Sequence, residues 1–244
     1  MLAVLQVSTP LGPVVVSIEV DTAGEPVHEQ QAELPSGAVL SRWWTDSRLE
    51  VRALLVRYDD AWNARQHFTA SGCWGVVWSV LTERTTSPVL VRAATPLGHV
   101  AFPNTGECLE ATEVESSSWI VTVGGPDDEL LAGRVGSGLP ASWAGKVGWR
   151  FGVPVAAQSP YSATAGADGV TWVLPPLEPR ERATTHVAIA WAPTGADDDG
   201  VTGWFAVDTC PGDLLEHAGV GPTRPHRHGW PHVPRLAVGG PSSP

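Results

Sequence analysis

Along much of the chain, apolar and polar side chains alternate with a period of two. Val14, Val16, Ile18 and Val20 share one parity, with Ser17 and Glu19 between them. Trp74, Val76, Trp78 and Val80 repeat the pattern, and so do Val187, Ile189 and Trp191. Val147, Trp149, Phe151, Val153 and Val155 follow it again, alternating mostly with Gly148, Arg150 and Gly152. Successive side chains of an extended strand point to opposite faces, so these runs predict half-buried antiparallel strands. Further strands are predicted over 2–8, 49–58, 88–94, 118–124, 169–174 and 201–207.

The turn residues agree with this reading. Thr9-Pro10-Leu11-Gly12 suits a type I turn, with Pro second and Gly fourth. Gly195 to Gly200, built around Asp197, Asp198 and Asp199, lies between two alternating runs and predicts a hairpin loop. The 26 Gly and 22 Pro favour many short strands over long helices. Short helices are predicted at Asp213 to Gly219, capped by Asp213 and stopped at Gly219, and at Asp60 to His67. The expected fold is therefore all-β, an antiparallel sandwich or barrel-like arrangement.

Two stretches repeat in order. Ser8-Thr9-Pro10-Leu11-Gly12-Pro13-Val14 recurs as Ala94-Thr95-Pro96-Leu97-Gly98-His99-Val100. Gly75-Val76-Val77-Trp78 recurs as Gly169-Val170-Thr171-Trp172. Ordered matches of this kind predict a tandem duplication, with β-units at 1–87 and 88–180. A C-terminal hairpin and short helix would fill 181–221. Residues 222–244, rich in Pro, Gly and His, predict a poorly ordered tail.

Composition changes how these features are read. The chain of 244 residues has 14 Arg but one Lys, and three Ile and two Asn, a bias of GC-rich coding. Its 12 Trp are then expected to fill core positions that Phe or Tyr would otherwise take. A net charge of −11, spread evenly along the chain, disfavours nucleic-acid binding. No apolar run reaches the ~18 residues of a membrane span. Met1 to Gly12 lacks the basic start of a secretory signal. Three scattered cysteines, Cys73, Cys108 and Cys210, predict no disulfide framework, so the expected location is the cytoplasm.

Candidate chemistry is sparse. Cys210 precedes a predicted helix start, and a helix N-terminus lowers a thiol pKa, so it is the best nucleophile candidate. His226, His228 and His232 have metal-ligand spacing and resemble part of a cupin motif, but His232 stands where that family has Glu. Gly136-Ser137-Gly138 lacks the βαβ setting of a dinucleotide loop. No cofactor is expected. Trp43 and Trp44 are adjacent, so in a strand one indole faces the core and the other faces outward. Trp204 lies off the parity of Val201, Gly203, Phe205 and Val207. Trp43, Trp44 and Trp204 are therefore the candidate contact residues.

Arg57-Tyr58-Asp59, Phe68 and Trp78 follow one another in an order similar to SsgA-like sporulation and cell-division regulators. That family's D-P-x-A-V segment, and its A-R after the Trp, are absent here, and no residue role is carried over. The sequence therefore points to a non-catalytic β-protein that binds a protein partner or assembles with itself. The alternatives are a hydrolase-like enzyme with a site between the repeats, or a carbohydrate-binding module using exposed Trp.

Overall fold

The computed structural model describes residues 1–20, 27–46, 48–59, 70–106, 109–126, 162–195 and 201–220. Two antiparallel sheets stack face to face, so the all-β expectation holds as a sandwich. The five-stranded sheet runs β1 (Leu2–Thr9), β2 (Gly12–Glu19), β7 (Val89–Ala94), β12 (Gly169–Leu174), β11 (Ser162–Gly166). The eight-stranded sheet runs β3 (Val27–Glu33), β4 (Val39–Thr45), β5 (Glu50–Tyr58), β6 (Gly72–Leu81), β13 (Arg182–Pro193), β10 (Trp119–Gly124), β9 (Leu109–Glu115), β8 (Ala101–Gly106). No helix among the described residues is long and apolar enough to cross a membrane.

The alternation read from the sequence decides which face of each strand is buried. Val14, Val16 and Ile18 of β2 and Val91 and Trp172 of the neighbouring strands point into the space between the sheets. Val51, Ala53, Val76, Trp78, Val187 and Ile189 fill it from the other side. Trp78 and Trp172 are fully buried, as the coding bias led one to expect. Each large apolar side chain removed from water in this way contributes about 1.5–3 kcal/mol. The central strands β6 and β13 are buried on nearly every residue rather than every second one. Their second face is covered as well, which makes their sequence read as a near-continuous apolar run.

That cover is a pair of short helices, α1 (Val201–Val207) and α2 (Pro211–His217). Leu54, Val56, Val77, Ala188 and Ala190 of the sheet meet Ala206, Val207, Leu214 and Leu215 of the helices in a second core. The close approach depends on Gly75, where a Cβ would lie 2.5 Å from a methyl carbon of Leu214.

Several expectations change. Residues 201–207 form a helix, not a strand, so the predicted C-terminal hairpin does not form. Strand β13 instead pairs with β6 and β10. The period-two pattern there is short enough to suit either element, and packing against β10 and β13 decides for the helix. The second helix begins earlier than predicted, with Cys210 at its N-cap in place of Asp213 and Pro211 in its first turn. It stops as expected at Gly219, which has φ +70.

The tandem duplication is not confirmed. Strands β1 and β2, from the first interval, share a sheet with β7, β11 and β12 from the second. Trp78 and Trp172 stand in different sheets. Thr9–Gly12 closes a hairpin between β1 and β2, with the Thr9 hydroxyl donating to the Gly12 carbonyl at 2.6 Å. Thr95–Gly98 instead leads from β7 across to the edge of the other sheet. The predicted strand at 147–155, the helix at 60–67, the Asp197–Asp199 loop and the tail from 222 lie outside the described residues.

Candidate functional site

The described surface offers two unusual features: an exposed apolar group at one end of the eight-stranded sheet, and a charged, aromatic face near the other. The first arises where β7 crosses to β8. Leu97 is 97% exposed, Val100 65% and Phe102 58%. Three large apolar side chains within six residues face water, whereas singly scattered ones need no explanation. Among the described residues, strand β8 is also an edge of its sheet, with β9 as its one partner. Pro103 removes a backbone donor from this edge, a common protection against unspecific strand pairing. Contact here therefore falls to side chains more than to added backbone hydrogen bonds.

The second feature surrounds Trp44. Adjacent indoles do point to opposite faces. Trp43 is buried and packs on Trp78 with ring centroids 6.0 Å apart, which removes it from the contact surface. Trp44 stays half-buried on the other face. Its ring stacks on His28 at 5.5 Å, and the Arg42 guanidinium lies 4.8 Å from its centroid. Neighbouring groups already occupy this indole, so it is not an open platform for a sugar ring.

Glu50, opposite Trp44 on the next strand, accepts hydrogen bonds from Arg42 and Arg52. Burial alone raises the pKa of its carboxyl. Hydrogen bonding and charge from Arg52, then Arg42, outweigh burial and hold it below the ordinary value.

The other predicted residues are less available. Trp204 lies in α1, half-buried, with an edge-to-face contact to Phe205 at 5.3 Å. Its indole nitrogen is buried. Cys210 has its thiol pushed up to about 11, mainly by burial, with the Asp213 backbone opposing and the Asp213 carboxylate adding to the rise. Such a thiol is protonated at neutral pH and a poor nucleophile. His217, close in sequence, faces Asp59 at 3.8 Å and the Tyr58 ring at 6.1 Å. His226, His228 and His232 lie outside the described residues.

Sequence reasoning missed Leu97, Val100 and Phe102, and also Arg42, Glu50 and Arg52. The legible signal was charge inside strands. Glu50 and Arg52 share one parity of a run whose other positions are mostly apolar.

No protein-family model matches the chain, and no curated protein does. Among solved structures it is similar to a chain named "Putative kojibiose phosphorylase from human microbiome", with a TM-score of 0.46 and 7% identity. The alignment covers 89% of this chain and 30% of that one, so the present chain spans less than a third of its length.

Proposed function

We propose that the protein is a non-catalytic binding domain that docks a protein surface through Leu97, Val100 and Phe102. The observation that carries this reading is their exposure, at 97%, 65% and 58%. Water around three apolar side chains close together in sequence is released when a partner covers them, and such contacts dominate protein association. The raised pKa of Cys210 and the engagement of His217 elsewhere support binding over thiol chemistry.

A photo-crosslinking amino acid placed at position 97 tests the reading in the cells that make the protein. The expected result is one discrete crosslinked species, identified by mass spectrometry as a partner or a second copy. The same probe at exposed Ser36, beside the other end of the sheet, should give none. Absent or scattered crosslinking from position 97 would overturn the proposal.

A further inference from the structure

The sheet face that carries α1 and α2 divides in two. Beneath the helices it is apolar, through Leu54, Val77 and Ala188. Further along the same strands it becomes polar. Cross-strand register places Arg42 beside Arg52, Arg52 beside Ser79, and Ser79 beside Thr184. One step along, Trp44, Glu50, Leu81 and Arg182 form the next row. Strand parity puts both rows on one face.

Two guanidiniums therefore share one carboxylate, and a third stands near it without a bond to it. Arg42 donates to Glu50 Oε2, from Nε at 2.9 Å and also from Nη2, while Arg52 donates from Nε to Oε1. Both carboxylate oxygens are thus engaged. The guanidinium of Arg182 has no hydrogen bond or ion pair to any described residue. Burial and the Arg52 charge both work against its protonated form, with Glu50 opposing them. Ser79 and Thr184, between the arginines, are buried. The patch holds an excess of two positive charges in a chain of net charge −11.

We infer that this face is an oxyanion site in which a phosphate group sits between Arg52 and Arg182, above Ser79 and Thr184. Guanidiniums present paired donors that match phosphate oxygens, and they hold their charge where Lys would lose it. A phosphate carries roughly −1.5 to −2 charges at neutral pH, which balances the excess, whereas a carboxylate balances half of it. Inorganic phosphate and a phosphate monoester share this chemistry.

Calorimetric titration of the whole chain with inorganic phosphate, methyl phosphate and phenyl phosphate, at constant ionic strength, tests the site. Saturable binding at one site per chain is expected. Arg182→Gln should weaken it by at least about tenfold, the usual effect of losing a charge-assisted hydrogen bond. Arg182→Lys should be intermediate, because it keeps the charge and loses the fork. Arg92→Gln, at an exposed arginine on β7 in the other sheet, should bind like the parent chain. Tighter binding of the esters would assign a monoester, and equal or tighter binding of inorganic phosphate the free ion. If Arg182→Gln does not fold, Arg182→Lys and thermal protection of the parent chain by phosphate still decide the matter. No saturable binding, unchanged affinity in the Arg182 variants, or equally tight binding of acetate would overturn the inference. The site is separate from Leu97, so crosslinking there and phosphate binding here succeed or fail independently.

Discussion

Gly203 in α1 sits so close to Thr122 on β10 that a Cβ at Gly203 would lie 2.0 Å from the threonine Oγ1. Thr122 cannot easily move aside, because its hydroxyl donates to Glu113 Oε1 at 3.0 Å. Gly→Ala in a free helix gains up to about 1 kcal/mol. Here the sign should reverse. Gly203→Ala should lose about 1–3 kcal/mol through overpacking, read from urea denaturation. Adding Thr122→Ala removes the nearest clashing atom and should restore part of the loss. A more stable Gly203→Ala chain would show that α1 is not seated as described.

Tyr58 ties β5 to the same helix, with its hydroxyl donating to the Ala206 carbonyl at 2.6 Å across 148 residues of sequence. Tyr58→Phe keeps the ring and strands a buried acceptor, at a cost of about 1–3 kcal/mol. Amide exchange in 201–207 should quicken more than exchange in β2. Equal changes in both would mean that the bond contributes to the whole fold and not to the seating of α1.

His186 lies on β13 beneath the helical layer, fully buried, with its pKa lowered to about 3. Burial is the main cause, and the Thr209 backbone offsets it in part. The unfolded chain therefore takes up this proton near pH 6.5, well before the folded chain does. Stability should fall as pH drops from about 6.5 towards 3, by several kcal/mol in all. Glu50, with its pKa lowered in the folded state, adds to the loss only below its unfolded value of 4.5. His186→Leu should flatten the stability profile between about pH 6 and 4.5, whatever its stability at neutral pH. An unchanged slope would place the acid sensitivity elsewhere.

Cys210 should alkylate slowly at pH 7.5, with the rate still rising above pH 9, because its thiol titrates near 11. Peptide mapping separates it from Cys73 and Cys108. Rapid labelling with an apparent pKa below about 7 would revive the nucleophile reading.

The strands best read from the sequence are those whose two faces meet different surroundings. Val14, Val16 and Ile18 enter the core while Val15, Ser17 and Pro13 do not, so β2 was legible. Strand β3, with His28, Glu29, Gln30 and Gln31, lies at a sheet edge with both faces in water, and its sequence carries no period. In 201–207, Val, Gly, Phe and Val at alternate places imitate a strand. The decisive constraint there is the contact of Gly203 with Thr122, which local pattern does not contain. Trp44 was singled out for its indole, but its setting comes from pairing. Arg42, Glu50 and Arg182 are brought together by registers among β4, β5, β6 and β13, over 140 residues of sequence.

Strand β13 is the last strand among the described residues, yet it occupies the middle of its sheet, between β6 and β10. Until residues 182–193 leave the ribosome, β3 to β6 and β8 to β10 are two separate ribbons. Each then ends in an open, strongly apolar edge, one at Val76 to Val80 and the other at Ile120 to Val123. Both edges wait for the same twelve residues. Folding thus depends on late, long-range pairing, which is slow and leaves time for wrong partners. A chain stopped short of Arg182 would lose far more than one strand: it would present two templates for aggregation where the finished sheet presents none at its centre.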